Sequence, residues 1–300
     1  MDKTSVNWSG AMPAITTPFD RHGHIDAQAC ADNITRLLDG GATGVVAGGC
    51  TGEFWALTLD ERLRLFDIAK EVVGQRGTLI VCTGAVTVDE TVKLTRHAEK
   101  IGCDGALILP PYFVKLTDDE IYGHFADVAA QIGIPIILYN IPGNAVNALT
   151  PALAARLAEL QPVVAIKESS GDWNNFYGTL IAVQSKLRVF CGPSSIFGVP
   201  AAHLGADGFI DCFPNVWADG GQTLFTAASG EPESARRLQE TGRLLTDLFT
   251  SGGRTLYPAT KAAMDMLGLP GGGTPRLPLR ALTGDPLVGL ERGLKTLGLL

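Results

Sequence analysis

The chain has 300 residues, 46 % hydrophobic and 18 % charged, with a mean hydropathy of +0.18; this excludes disorder, collagen and coiled coil and allows a large buried core. Lys and Arg number 24 against 31 Asp and Glu, a net charge of −7, so there is no overall attraction to nucleic acid or anionic membrane. An anionic small substrate would need locally placed donors, and the low charged fraction points to buried subunit interfaces.

Met1–Phe19 contains no basic segment followed by an apolar stretch, and no apolar run approaches the roughly 18 residues of a membrane span, which predicts a soluble, cytoplasmic chain. Eight short β-branched or apolar runs then follow: Ala11–Thr16, Gly44–Gly48, Leu79–Cys82, Ala106–Leu109, Ile134–Tyr139, Val163–Lys167, Arg188–Cys191 and Gly208–Cys212. Each precedes a stretch of helical periodicity, and their spacing is that of βα units. Thr58 with Glu61 and Thr117 with Glu120 have capping-box spacing, the second opening a helix over Ile121–Ile132; Gly102 and Gly133 stand where C-caps are expected. The runs are continuously apolar rather than alternating, as in parallel strands covered on both faces. Eight such units predict a TIM (β/α)8 barrel over residues 1–231. Pro232–Thr250, Pro258–Leu267 and Asp285–Leu297 read as helices of a C-terminal extension over 232–300. The six cysteines, Cys30, Cys50, Cys82, Cys103, Cys191 and Cys212, form no C-x-x-C pair and read as free buried thiols.

A TIM barrel places its site at the C-terminal ends of its strands. Lys167 follows Val163-Val164-Ala165-Ile166, so its ammonium is carried at the edge of an apolar interior. Burial there lowers a lysine pKa, and a neutral amine can form a Schiff base with a carbonyl; the alternative is a structural lysine paired with a carboxylate such as Glu168. Tyr139 ends the fifth run and is either a proton carrier or a core tyrosine. Gly48–Gly52 is either a tight βα turn or a cradle whose N–H groups and Thr51 hydroxyl hold an anion. G-x-G-x-x-G, P-loop and G-x-S-x-G patterns are absent, and no His spacing suits a metal. Lys261, flanked by small apolar residues, reads as a packing residue.

Taken together, Pro13–Phe19, Gly49-Cys50-Thr51-Gly52-Glu53, Pro110-Pro111-Tyr112, Tyr139-Asn140-Ile141-Pro142, Ile166-Lys167-Glu168 and Pro275-Arg276-Leu277-Pro278 give a chain that resembles the dihydrodipicolinate synthase / N-acetylneuraminate lyase superfamily of class I aldolases over nearly its whole length. The resemblance implies a (β/α)8 barrel with a C-terminal helical region, usually a homotetramer, working without a cofactor or metal on a small 2-oxo acid. It implies that Lys167 forms the imine and Tyr139 shuttles protons. Gly49, Cys50 and Thr51 would hold the substrate carboxylate, and Ile210 would lend a backbone carbonyl. Three positions depart from the synthases of lysine biosynthesis. Cys50 replaces the first threonine of G-T-T-G-E, Asn144 replaces an arginine that receives the second substrate's carboxylate, and Phe113 falls where a tyrosine is lent across a dimer, with Tyr112 adjacent. An asparagine cannot make the charged bidentate contact. These departures favour a dehydratase or deaminase, acting on a 2-keto-3-deoxy sugar acid or 4-hydroxy-pyrroline-2-carboxylate, or an aldolase. The alternatives are 4-hydroxy-tetrahydrodipicolinate synthase and a non-catalytic 2-oxo-acid-binding paralogue.

Overall fold

The computed structural model describes residues 1–300. Eight parallel strands, β1 (Gly10–Ala11), β2 (Gly44–Ala47), β3 (Thr78–Cys82), β4 (Gly105–Ile108), β5 (Ile136–Asn140), β6 (Val163–Glu168), β7 (Arg188–Cys191) and β8 (Gly208–Phe209), pair in the order β1-β8-β7-β6-β5-β4-β3-β2. The sheet closes between its two ends: Val46 N–H donates to Pro13 O at 2.8 Å and Ile15 N–H to Val46 O at 3.0 Å, around an Ala14–Val46 bridge. The result is the TIM barrel expected from the sequence.

Two cores follow from strand alternation. Val46, Ile80, Leu107, Ile137, Ala165, Phe190 and Ile210 fill the barrel interior. Their neighbours Val45, Ala47, Leu79, Val81, Ile136, Leu138, Ile166 and Val189 point outward and pack under the helices. Both faces of each strand are therefore apolar, which is why the strands read as unbroken runs.

The helices are α1 (Ala27–Asp39), α2 (Leu59–Val73), α3 (Val88–Ile101), α4 (Asp118–Ala129), α5 (Pro142–Ala145), α6 (Pro151–Leu157), α7 (Trp173–Val183), α8 (Ser194–His203), α9 (Gln222–Gly230), α10 (Pro232–Thr250), α11 (Leu256–Met266) and α12 (Gly284–Thr296). Thr58 and Thr117 form reciprocal capping boxes with Glu61 and Glu120, and Gly102 ends α3 in the left-handed region. Gly133 does not cap α4. That helix ends at Ala129, where the Gln131 amide folds back onto Asp127 O at 3.0 Å, and Gly133 N–H instead binds Glu99 of α3. The helices after Pro232 share an apolar cluster that joins Leu245, Phe249, Met264 and Leu290 to Phe213 and Trp217 beyond β8, seating α10 and α11 over the C-terminal mouth of the barrel. No helix is long and apolar enough to cross a membrane.

Candidate active site

Tyr139 and Lys167 occupy paired positions on β5 and β6, and the next pair is Asn140 with Glu168. The first pair points into the barrel and the second out. Lys167 therefore does not pair with Glu168. The outward carboxylate accepts from Asn140 Nδ2 at 2.8 Å, Ser170 N–H at 2.9 Å and Asn175 Nδ2 at 3.1 Å, and Asn140 Oδ1 accepts from Leu149 N–H at 2.8 Å. These bonds pin the segments that leave both strands. Burial raises the Glu168 pKa.

Inside, Lys167 is 6 % exposed and makes no ion pair; its Nζ lies 4.2 Å from the centre of the Tyr139 ring. Burial pushes the Lys167 pKa down, opposed by the nearby Cys50 and Asp211. The Tyr139 hydroxyl donates to Cys50 Sγ at 3.7 Å, and burial holds the phenol neutral, well above its ordinary pKa.

Cys50 is carried by the turn after β2. Gly48 takes φ +64°, open to glycine without strain, and the chain doubles back with Gly52 N–H donating to Gly49 O at 3.0 Å. Thr17 Oγ1 fixes Gly52 O at 2.9 Å. Glu53, left-handed at φ 56°, buries its carboxylate completely: Oε1 lies 2.5 Å from Lys261 Nζ and Oε2 accepts from Arg276 N–H at 2.8 Å. Lys261 is thus an ion-pair partner rather than a packing residue, and its ammonium also faces the Phe19 ring at 4.4 Å. The sequence could not show this, because the two partners lie on β2's turn and on α11.

A cavity of about 330 Å³ opens above Lys167, within the size range of small-molecule sites. Cys50, Thr51, Tyr139, Asn144, Lys167, Ile210 and Asp211 line it together with Ser169, Ser195, Thr246 and Tyr257. Gly49 is buried at the start of the same turn without lining the cavity. Lys167 is the only cation in the lining, and Asp211 the only carboxylate. Asp211 is committed to the start of α8 and to its own loop, accepting from Ser194 Oγ, Ser195 N–H and Cys212 N–H at 3.0, 3.1 and 2.6 Å. Ser169, two residues past Lys167 and on the same side of the strand, has a buried hydroxyl with no partner. It lies over Gly192, where a Cβ would sit 1.7 Å from Ser169 Oγ, so only glycine fits. Sequence reasoning missed Ser195, Thr246 and Tyr257, which come from α8, α10 and α11 and carry no local signal.

A buried amine whose charged form is disfavoured, beside a neutral phenol and the turn that carries Cys50 and Thr51, can add to a carbonyl and form an imine. The family model described as the dihydrodipicolinate synthetase family matches residues 7–297. The chain belongs to that family. It is an enzyme of the lyase class, built on the class I aldolase plan. A 4-hydroxy-tetrahydrodipicolinate synthase of Moorella thermoacetica is 33 % identical over 297 residues, covering 98 % of this chain and 100 % of the relative. Among solved structures, a dihydrodipicolinate synthase from Acinetobacter baumannii complexed with pyruvate superposes with a TM-score of 0.89 at 29 % identity, covering 97 % of this chain and 99 % of the other. YagE, a family protein of E. coli in complex with pyruvate, superposes with a TM-score of 0.92 at 25 % identity, covering 98 % of this chain and 100 % of the other.

Proposed function

We propose that the chain is a Schiff-base-forming lyase of the dehydratase or deaminase type, acting on a 2-oxo acid or cyclic imine with a leaving group at C4, such as a 2-keto-3-deoxy sugar acid or 4-hydroxy-pyrroline-2-carboxylate. The observation that carries this reading is Lys167: a buried amine without a carboxylate partner, beside a neutral phenol, in a cavity with no other cation. The substrate carboxylate rests against the turn of Gly49, Cys50 and Thr51. Lys167 Nζ attacks C2, and with a proton from Tyr139 the adduct expels water where the substrate is a 2-oxo acid, or the ring nitrogen as a free amine where it is a cyclic imine. The iminium acidifies C3; its proton passes to the Tyr139 oxygen, left without its own by the preceding step, the electron pair passes through the enamine, and the C4 hydroxyl takes that proton from Tyr139 and departs as water. Hydrolysis then returns the free amine. The unpartnered Ser169 hydroxyl supports this reading because it can bond the departing oxygen. Ile210, one residue past β8, bounds the cavity and lends its carbonyl to the bound acid.

The names of the relatives favour a second reading, condensation of pyruvate with aspartate semialdehyde. The cavity argues against it. Asn144 stands where a second carboxylate would need a cation, and a charged hydrogen bond there is worth roughly 1.5–3 kcal/mol. Borohydride reduction in the presence of pyruvate should add one group at Lys167, and Lys167→Ala should lose both adduct and turnover. Adduct formation elsewhere rejects the scheme. A kcat/KM for condensation of about 10⁴ M⁻¹s⁻¹ or more, above that for the 2-keto-3-deoxy acids and 4-hydroxy-pyrroline-2-carboxylate, selects the second reading.

A further inference from the structure

The scheme above occupies the Lys167 cavity with C1 to C4 of a bound molecule. On its α8–α10 side the cavity is walled by Ser195, Thr246 and Thr250, which have no part in that scheme. The C-terminal helices build this wall. Gln239, Gly242 and Thr246 follow one another at intervals of three and four residues along α10, so they share one face. That face lies against the start of α8. A Cβ on Gly242 would sit 2.7 Å from Ser195 O, so the two helices approach to backbone contact. Helix α8 is kinked at Phe197, where φ is −141°, and the Gln239 amide spans the kink. Its Oε1 accepts from Val199 N–H at 2.7 Å, and its Nε2 donates to Ser194 O and Ser195 O at 3.1 and 2.8 Å. Ser195 is thereby held against Thr246.

The protons of this wall are spent inside the protein. Thr246 Oγ1 lies 3.0 Å from both Gly242 O and Ser195 Oγ, and a hydroxyl has one proton. A carbonyl can only accept, so that proton goes to Gly242 O and the Ser195 hydroxyl donates to Thr246. Thr250 Oγ1 donates to Thr246 O at 2.7 Å. Ser195 N–H is taken by the Asp211 carboxylate at 3.1 Å, which sets a negative charge behind the wall. Lys167, the one cation of the lining, is engaged at C2. The three hydroxyls therefore offer the cavity lone pairs and no proton. A carboxylate or phosphate brings only acceptors, and it meets acceptors and a charge of its own sign. An alcohol brings the missing proton.

We propose that Ser195, Thr246 and Thr250 form a subsite for the distal, uncharged hydroxyl groups of the substrate. Of the molecules considered above, this selects an open-chain 2-keto-3-deoxy acid that ends in an alcohol. A phosphorylated or dicarboxylic acid is refused by the lone pairs and by Asp211. A cyclic imine such as 4-hydroxy-pyrroline-2-carboxylate carries no hydroxyl beyond C4 and leaves the acceptors unfilled. The subsite rests on the Lys167 imine, but not on which reaction follows it.

Borohydride trapping at Lys167, read by mass spectrometry against concentration, measures recognition apart from the later chemistry. The probes are six-carbon 2-keto-3-deoxy acids of one configuration ending in an alcohol, a carboxylate or a phosphate, together with 4-hydroxy-pyrroline-2-carboxylate and, as the reference without a tail, pyruvate. In wild type the alcohol-ended acid should half-saturate trapping roughly 10²-fold below the two charged acids and about 10-fold below the cyclic imine and pyruvate. Thr246→Val keeps the shape of the side chain, removes one acceptor and frees the Ser195 proton to face the cavity. It should narrow the gap between the alcohol-ended and carboxylate-ended acids about 10-fold, each read against pyruvate on the same variant. Three results overturn the subsite while the imine with pyruvate stands: a wild type that traps a charged acid as readily as the alcohol, one that traps the cyclic imine more readily, or a gap that Thr246→Val does not change. A wild type that traps no acid at Lys167 overturns both.

Discussion

Lys261→Met probes the ion pair beneath the Cys50–Thr51 turn. The methionine keeps the stem that crosses the C-terminal core but removes the ammonium, leaving the Glu53 carboxylate 0 % exposed with only the Arg276 N–H at 2.8 Å. Removing one partner of such a pair strands the other charge away from water and costs about 3–5 kcal/mol. The lost ammonium–Phe19 contact lies inside that range, and for a chain of this size the loss corresponds to a fall in Tm of roughly 6–10 °C. Lys261→Met with Glu53→Gln removes both charges, and the glutamine oxygen still accepts from Arg276. That double variant should lose less than about 2 kcal/mol. The assay is thermal unfolding of wild type, both single variants and the double variant at one fixed protein concentration. The half-saturation of pyruvate trapping should rise in Lys261→Met, because Thr51 is two residues from Glu53 on the same turn. A single-variant Tm within about 2 °C of wild type, or a double variant as impaired as Lys261→Met, would refute the reasoning.

Burial lowers the Lys167 pKa below its unfolded value, so the unfolded chain holds more protons in the window between the two and wild-type stability rises with pH there. Lys167→Met should therefore gain Tm over wild type increasingly as pH falls through that window, and wild-type kcat/KM should fall as the amine becomes charged; a pH-independent Tm difference counts against this. Asn144→Arg puts a cation at the cavity wall and should raise kcat/KM for condensation with aspartate semialdehyde about 10-fold or more, measured against the unchanged pyruvate-trapping rate; no gain shows that the arginine position is not what separates the two activities. Phe113, 93 % exposed at φ 75°, is an apolar side chain that a second copy of the chain is expected to cover. Phe113→Asp should lower the mass measured by light scattering, and an unchanged mass removes Phe113 from any interface.

The barrel was legible because its strands are buried on both faces, so Leu79–Cys82 and Arg188–Cys191 announce themselves as apolar runs. The first and last strands were less so. Ala11–Thr16 and Gly208–Cys212 read as full strands, but the regular ladder covers only Gly10–Ala11 and Gly208–Phe209. Pro13 has no N–H to give, and the pairing continues only as single bonds such as Ala14 N–H to Asp211 O at 2.9 Å. Lys167 and Tyr139 stood out because each ends an apolar strand with a polar head. Lys261 and Tyr257 did not, since what they touch is decided by how α11 folds back over the barrel, more than 200 positions from the turn they meet.

Because Tyr139 and Lys167 are opposed on adjacent parallel strands, their separation is the interstrand spacing, about 4.8 Å. No loop has to close, and no helix has to dock, for the two to meet. Much of the rest of the cavity wall, by contrast, sits on segments that leave the strands: Asn144 on α5, Ser195 on α8, Thr246 on α10, Tyr257 on α11. The two parts of the cavity can therefore drift independently. A lineage could exchange the outer walls many times, and with them the molecule accepted, while the amine and phenol stay in register at the barrel's centre.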